Sequence, residues 1–120
     1  MRRTRSAAAT AVVVLGLLTS CGDEEPEPAG SDQDPVVIEI TFEGDTVDPS
    51  GERVDVALGQ PVELVVQADV GGEIHVHSKP EQEFEYGEGE TTLPLTIDKP
   101  GLVDIESHDL DQVIVQLEVE

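Results

Sequence analysis

Val36-Val37-Ile38-Glu39-Ile40-Thr41-Phe42 decides the fold class of this chain. Side chains alternate along it with period two, placing Val36, Ile38, Ile40 and Phe42 on one face and Glu39 and Thr41 on the other, the pattern of a half-buried β-strand. The segments that follow repeat the pattern in short pieces. Asp48-Pro49-Ser50-Gly51 supplies turn chemistry within 44–51. Val54, Val56 and Leu58 then form a second strand, closed by Gly59-Gln60-Pro61, and Val62, Leu64 and Val66 a third, ended by Gly71-Gly72. Ile74 and Val76 mark a fourth strand, and Phe84 and Tyr86 a fifth. Leu93, Leu95 and Ile97 mark a sixth, where Pro94 predicts an exposed edge. Val103 and Ile105 follow the Lys99-Pro100-Gly101 turn, and Val113, Val115, Leu117 and Val119 close the chain. No window sustains a helical period. Seven to eight short strands punctuated by Gly and Pro predict an all-β, two-sheet Greek-key sandwich over residues 36–120.

Upstream the composition changes. Residues 22–35, GDEEPEPAGSDQDP, are acidic, rich in Pro and Gly, and short of large apolar side chains, so they cannot bury enough surface to offset ordering entropy. They read as a disordered tether reaching about 20 Å as a random coil. Before it, Arg2, Arg3 and Arg5 precede an apolar run from Ala7 to Leu18, in the order of a signal peptide. That run is well short of the roughly 20 residues a bilayer-spanning helix needs. Leu18-Thr19-Ser20-Cys21 resembles a bacterial lipobox. The resemblance implies cleavage after residue 20, lipidation of Cys21, and anchorage at the outer face of the cytoplasmic membrane. The expected organisation is therefore a lipoprotein signal peptide (1–20), a lipidated Cys21 with its acidic linker (21–35), and the sandwich (36–120).

Without residues 1–20 the chain keeps three basic residues, Arg53, Lys79 and Lys99, against 27 acidic ones, a net charge of −24 with histidine neutral. Such a surface repels phosphate backbones and excludes nucleic acid as a partner, while drawing in cations and basic protein surfaces. Cys21 is the only cysteine, so no disulfide and no thiolate ligand is expected once it carries lipid. With two Phe, one Tyr and no Trp, the chain lacks the aromatic platforms of sugar- or base-stacking sites.

All three histidines fall in two places, His75-Val76-His77 and Ser107-His108. Strand residues two apart project to one face about 6.5–7 Å apart, and a third imidazole from another strand can complete a site suited to copper or zinc. Glu73, Glu106 and Asp109 are the neighbouring carboxylates, with Glu106 the preferred fourth ligand beside His75, His77 and His108. Because Ile74 and Val76 claim the core face, the alternation turns His75 and His77 to solvent, and His108 falls on the outward parity of its own strand. The residues leave two readings open: one shared cation site, or separate solvated histidines.

The order Gly59-Gln60-Pro61-Val62, Glu73-Ile74-His75-Val76-His77-Ser78, Lys99-Pro100-Gly101, Glu106-Ser107-His108 and a closing Val-Ile-Val-Gln-Leu-Glu-Val resembles the cupredoxin-like domains of exported bacterial proteins. The resemblance implies a copper-holding scaffold in which His75 or His77 stands for the first ligand and His108 for the loop histidine. It departs where blue-copper members carry their cysteine six residues after the Gly of the Pro-Gly turn: Ser107 stands there, and no Met follows in that loop. No blue-copper centre is expected, since a hydroxyl cannot replace the thiolate of a His₂Cys site.

Other chemistries fare worse. No Gly-x-Ser-x-Gly nucleophile elbow is present. The 81–90 run EQEFEYGEGE lacks the spacing of a Ca²⁺ loop and reads as a solvated acidic strand and turn. No enzyme is expected. The expectation is a membrane-anchored metal-binding domain, with a metal-free acidic interaction or accessory domain as the alternative.

Overall fold

A computed structural model describes residues 33–120; the expected signal peptide, Cys21 and most of the expected tether lie outside the described residues. Among the described residues nine strands run β1 (Val36–Glu43), β2 (Thr46–Asp48), β3 (Glu52–Val56), β4 (Pro61–Ala68), β5 (Gly72–Val76), β6 (Gln82–Tyr86), β7 (Gly89–Thr96), β8 (Gly101–Ser107) and β9 (Gln112–Val119). They form a four-stranded sheet, β2-β1-β4-β7, and a five-stranded sheet, β3-β9-β8-β5-β6. Two pairs are parallel, β1 with β4 and β3 with β9; the others are antiparallel.

The alternation predicted along β1 is present: Ile38, Ile40 and Phe42 are buried, and the residues between them are exposed. Ile40, Val62, Leu64 and Val66 of one sheet and Ile74, Val76, Ile105, Ile114, Val115 and Leu117 of the other are fully enclosed. Fully burying a single aliphatic side chain of this kind contributes about 1.5–3 kcal/mol. This core therefore carries the stability of a module with no disulfide available to it. Pro94 lies in β7, which among the described residues pairs with β4 alone and is an edge strand, as its lack of an N–H requires.

Three details differ from the sequence reading. The 44–51 segment contains a short strand, β2, whose buried Val47 pairs with Phe42. Three residues are too few to show a period, so turn chemistry masks it. Strand β3 ends at Val56, and Leu58 is exposed in the turn that follows, its N–H donating to the carbonyl of Glu120. Finally, a bulge near Ile105/Glu106 makes Ile114 the extra residue of β9, so Ile114 and Val115 are buried in succession.

Candidate metal centre

The site lies on the outer face of the five-stranded sheet, where β5 is flanked by β6 and β8. Antiparallel register sets His75 opposite Glu83 on one side and Glu106 on the other. Ile74 and Val76 are buried, so His75 projects outward, as the alternation predicts. On β8 the buried positions are Val103, Ile105 and Ser107, which leaves Glu106 outward.

His108 is delivered by the loop that follows β8. Its N–H donates to the carbonyl of Glu73 at 3.0 Å, extending the β5–β8 pairing past the last strand residue. The ring of His108 thereby stacks on that of His75, with centroids 4.7 Å apart and planes inclined by 24°. Nε2 of His75 also hydrogen-bonds Oε1 of Glu73. Glu73, His75 and His108 each bring one donor atom into a group no more than 4.8 Å across.

A second such group, His75 with Glu81 and Glu83, shares the same ring. Glu81 Oε1 lies 3.8 Å from His75 Nδ1, and Glu83 Oε1 lies 3.9 Å from His75 Nε2. The hydrogen bond to the Glu73 carboxylate and the negative charges of Glu73, Glu83 and Glu81 raise the pKa of His75 above its ordinary value of 6.5, against a smaller opposing effect of desolvation.

The remaining predicted residues are placed differently. His77 stands edge-on to His75 with ring centroids 6.4 Å apart. Its Nε2 bonds Glu106 Oε2 at 2.8 Å, so Glu106 serves His77 rather than its cross-strand partner His75. Asp109 turns to the backbone rather than to an imidazole; its Oδ2 accepts the N–H of Glu73 at 3.0 Å. Ser107 is fully buried, and its Oγ accepts the N–H of Leu110 at 3.2 Å. Glu81 and Glu83 escape a sequence reading because they sit in a charge run. The signal that could have found them is hairpin parity, which sets Glu83 across from His75.

Two imidazoles and a carboxylate form a nitrogen–oxygen donor set of the kind that suits copper(II) or zinc. One nitrogen of each stacked ring lies within 4.8 Å of the other, which suits adjacent coordination positions on one ion better than a linear arrangement. Donors bound about 2 Å from one ion must themselves lie about 3 Å apart. Binding thus requires a closure of about 1–2 Å from the 4.8 Å limit, within reach of the exposed His108 side chain.

No protein-family model matches this chain, and no curated protein sequence matches it. Solved structures do resemble it. The Cu(I) form of one methionine-to-alanine mutant of amicyanin superposes with a TM-score of 0.55 at 13% identity, over 75% of this chain and 86% of that one. A second methionine-to-alanine mutant of amicyanin, also with Cu(I), gives 0.53 at 12% identity, over 70% and 82%. The metal-binding domain of the Streptococcus pneumoniae Cu(I)-exporting P-type ATPase CopA, with Cu(I), gives 0.55 at 16% identity, over 76% and 92%. The two-sheet architecture is a cupredoxin-like β-sandwich. At these identities the likeness is one of fold.

Proposed function

We propose that this chain is a membrane-anchored, extracytoplasmic cupredoxin-like domain that binds a copper or zinc ion through histidines. The observation that carries the reading is the convergence of Glu73, His75 and His108, from β5 and the loop after β8, on one spot. The similar solved structures that hold Cu(I) give the metal its first candidate. In this reading Nε2 or Nδ1 of His75 and a ring nitrogen of His108 are the principal ligands and Glu73 the third. His77 and Glu106, paired with each other, flank them and become donors only when their hydrogen bond opens. The acidic surroundings raise the local concentration of cations. With Ser107 buried and no sulfur ligand in the loop, the reading is of a colourless or weakly coloured ion rather than a blue-copper centre.

The test is isothermal titration of the purified chain with Cu(II) and with Zn(II), followed by dialysis and a count of bound metal. Retention near one equivalent supports the reading. Retention below about a tenth of an equivalent, or equal binding after His75, His77 and His108 are all changed to Ala, ends it. Anchorage is tested separately, by incorporation of labelled fatty acid that is lost in Cys21→Ser.

A metal-free reading is favoured by the carboxylates of Glu73, Glu81, Glu83 and Glu106 around one patch, which suit a basic protein partner. Cross-linking in membranes that captures one recurrent partner regardless of chelator supports it.

A further inference from the structure

Glu73 is held at both of its main-chain polar groups by consecutive residues of the loop after β8. The N–H of His108 donates to its carbonyl, and Asp109 Oδ2 accepts its N–H, each at 3.0 Å. The loop is tightened further by the Ser107–Leu110 bond and by the left-handed conformation of Asp111, at φ 51°. What admits Asp109 to this position is the residue before Glu73. A Cβ at Gly72 would fall on the hydroxyl of Tyr86 and within 2.5 Å of Asp109 Oδ2. Gly72 does not have a positive φ, so its requirement is for space and not for backbone freedom.

Tyr86 cannot withdraw to make room. The residue is 7% exposed and its ring stacks on Phe42, with centroids 4.9 Å apart and planes inclined by 15°. Burial, together with the charges of Asp109 and Asp69, raises its pKa above the ordinary 10.0, so the phenol stays neutral beside Asp109. The core therefore fixes Tyr86, the bare backbone of Gly72 leaves a slot beside it, and Asp109 enters that slot to reach Glu73. His108, one residue earlier, is carried onto His75 by the same engagement.

We propose that Gly72, Tyr86 and Asp109 form a latch that seats His108 against His75, making them positioning residues for the Glu73–His75–His108 group. The inference rests on the metal-binding reading for its functional meaning, but its geometry stands apart from it. Groups that orient metal ligands without touching the ion typically govern affinity by about 10–100-fold.

The experiment uses the full chain with Asp109→Ala, Asp109→Asn, Gly72→Ala and His108→Ala, read three ways: Cu(II) titration, the number of nitrogens coupled to Cu(II) in its electron paramagnetic resonance spectrum, and the metal-free nuclear Overhauser contact between the rings of His75 and His108. Asp109→Ala and Gly72→Ala are expected to weaken Cu(II) binding about 10–100-fold, to lose one coupled nitrogen, and to lose the ring contact. Asp109→Asn keeps an acceptor oxygen and is expected to stay within about threefold of the parent, a rescue that general destabilisation does not produce. Combining Asp109→Ala with His108→Ala adds no further loss, because both act through one interaction. A folded Asp109→Ala protein with parental affinity and an intact ring contact overturns the latch. Should Gly72→Ala fail to fold, Asp109→Ala alone decides. Should the parent bind no Cu(II), the metal reading fails, and the ring contact in Asp109→Ala still decides the latch.

Discussion

His75 and His108 stack ring on ring, 4.7 Å between centroids, although one belongs to a strand and the other to a loop that no covalent turn joins to it. The pairing of β5 with β8 creates this contact, and it separates His108 from His77 in what each contributes. His75→Ala and His108→Ala are each expected to cut Cu(II) affinity at least about tenfold. His77→Ala removes the hydrogen bond to Glu106 and the edge-on contact with His75 but neither stacked ring nor Glu73, and is expected to cost less than about threefold. Titration calorimetry on the three variants checks the order, and an equal or larger loss for His77→Ala contradicts it.

The raised pKa of His75 has a sign that is open to measurement. The hydrogen bond to Glu73, with the neighbouring carboxylates, favours the protonated ring in the folded protein. Its contribution to stability is present in full below the unfolded value near 6.5 and is lost as pH rises through the higher folded value. Urea midpoints are expected to fall over the interval that begins at the unfolded value near 6.5 and runs up through the raised folded one, and the part of that fall due to this group vanishes in His75→Gln. Metal affinity runs the opposite way: an ion at that nitrogen must displace a proton, so Cu(II) binding strengthens as pH rises through the same interval.

Ser107 offers a test of what the scaffold permits. It occupies the position where the blue-copper pattern puts cysteine, yet it is fully buried, while His75 and His108 meet on the outer face of the sheet. Ser107→Cys is therefore expected to yield no intense visible thiolate-to-copper band on addition of Cu(II), because sulfur and imidazoles lie on opposite sides of β8. The absorption spectrum of the folded variant decides; an intense band shows that the loop rearranges to bring them together.

Leu64 is fully enclosed at the middle of β4, a central strand of its sheet. Leu64→Ala removes most of an enclosed side chain and is expected to cost about 2–5 kcal/mol. Against a total of about 5–15 kcal/mol for a typical domain, this lowers the urea midpoint substantially. A loss below about 1 kcal/mol would mean that the space around Leu64 collapses or is not packed as described.

Strand identity and facing were legible because two-residue periodicity and burial have the same cause. Ile74 and Val76 point in, so His75 points out, and Val103, Ile105 and Ser107 share the inward parity of β8. The edge position of β7 was legible from Pro94 alone. The adjacency of β5 and β8 was not, since a sequence fixes which face a residue takes but not which strand lies alongside. That is why the preferred fourth ligand, Glu106, is found on His77 and why Glu81 and Glu83 approach His75 unannounced. The glycine pair at 71–72 has the composition of a strand terminator. Gly72 in fact opens β5, and its lack of a side chain matters for clearance around Tyr86 and Asp109.

The parallel pairing of β3 with β9 has a consequence for how the polypeptide acquires its shape. Among the described strands, β3 has no neighbour except β9, and β1 waits for β4 while the chain visits the opposite layer in between. The four-stranded layer is complete only once β7 is made, and the five-stranded layer only with β9. Closure must be late, dominated by distant encounters and correspondingly slow, and a nascent chain that ends before β9 lacks the strand that joins β3 to β8.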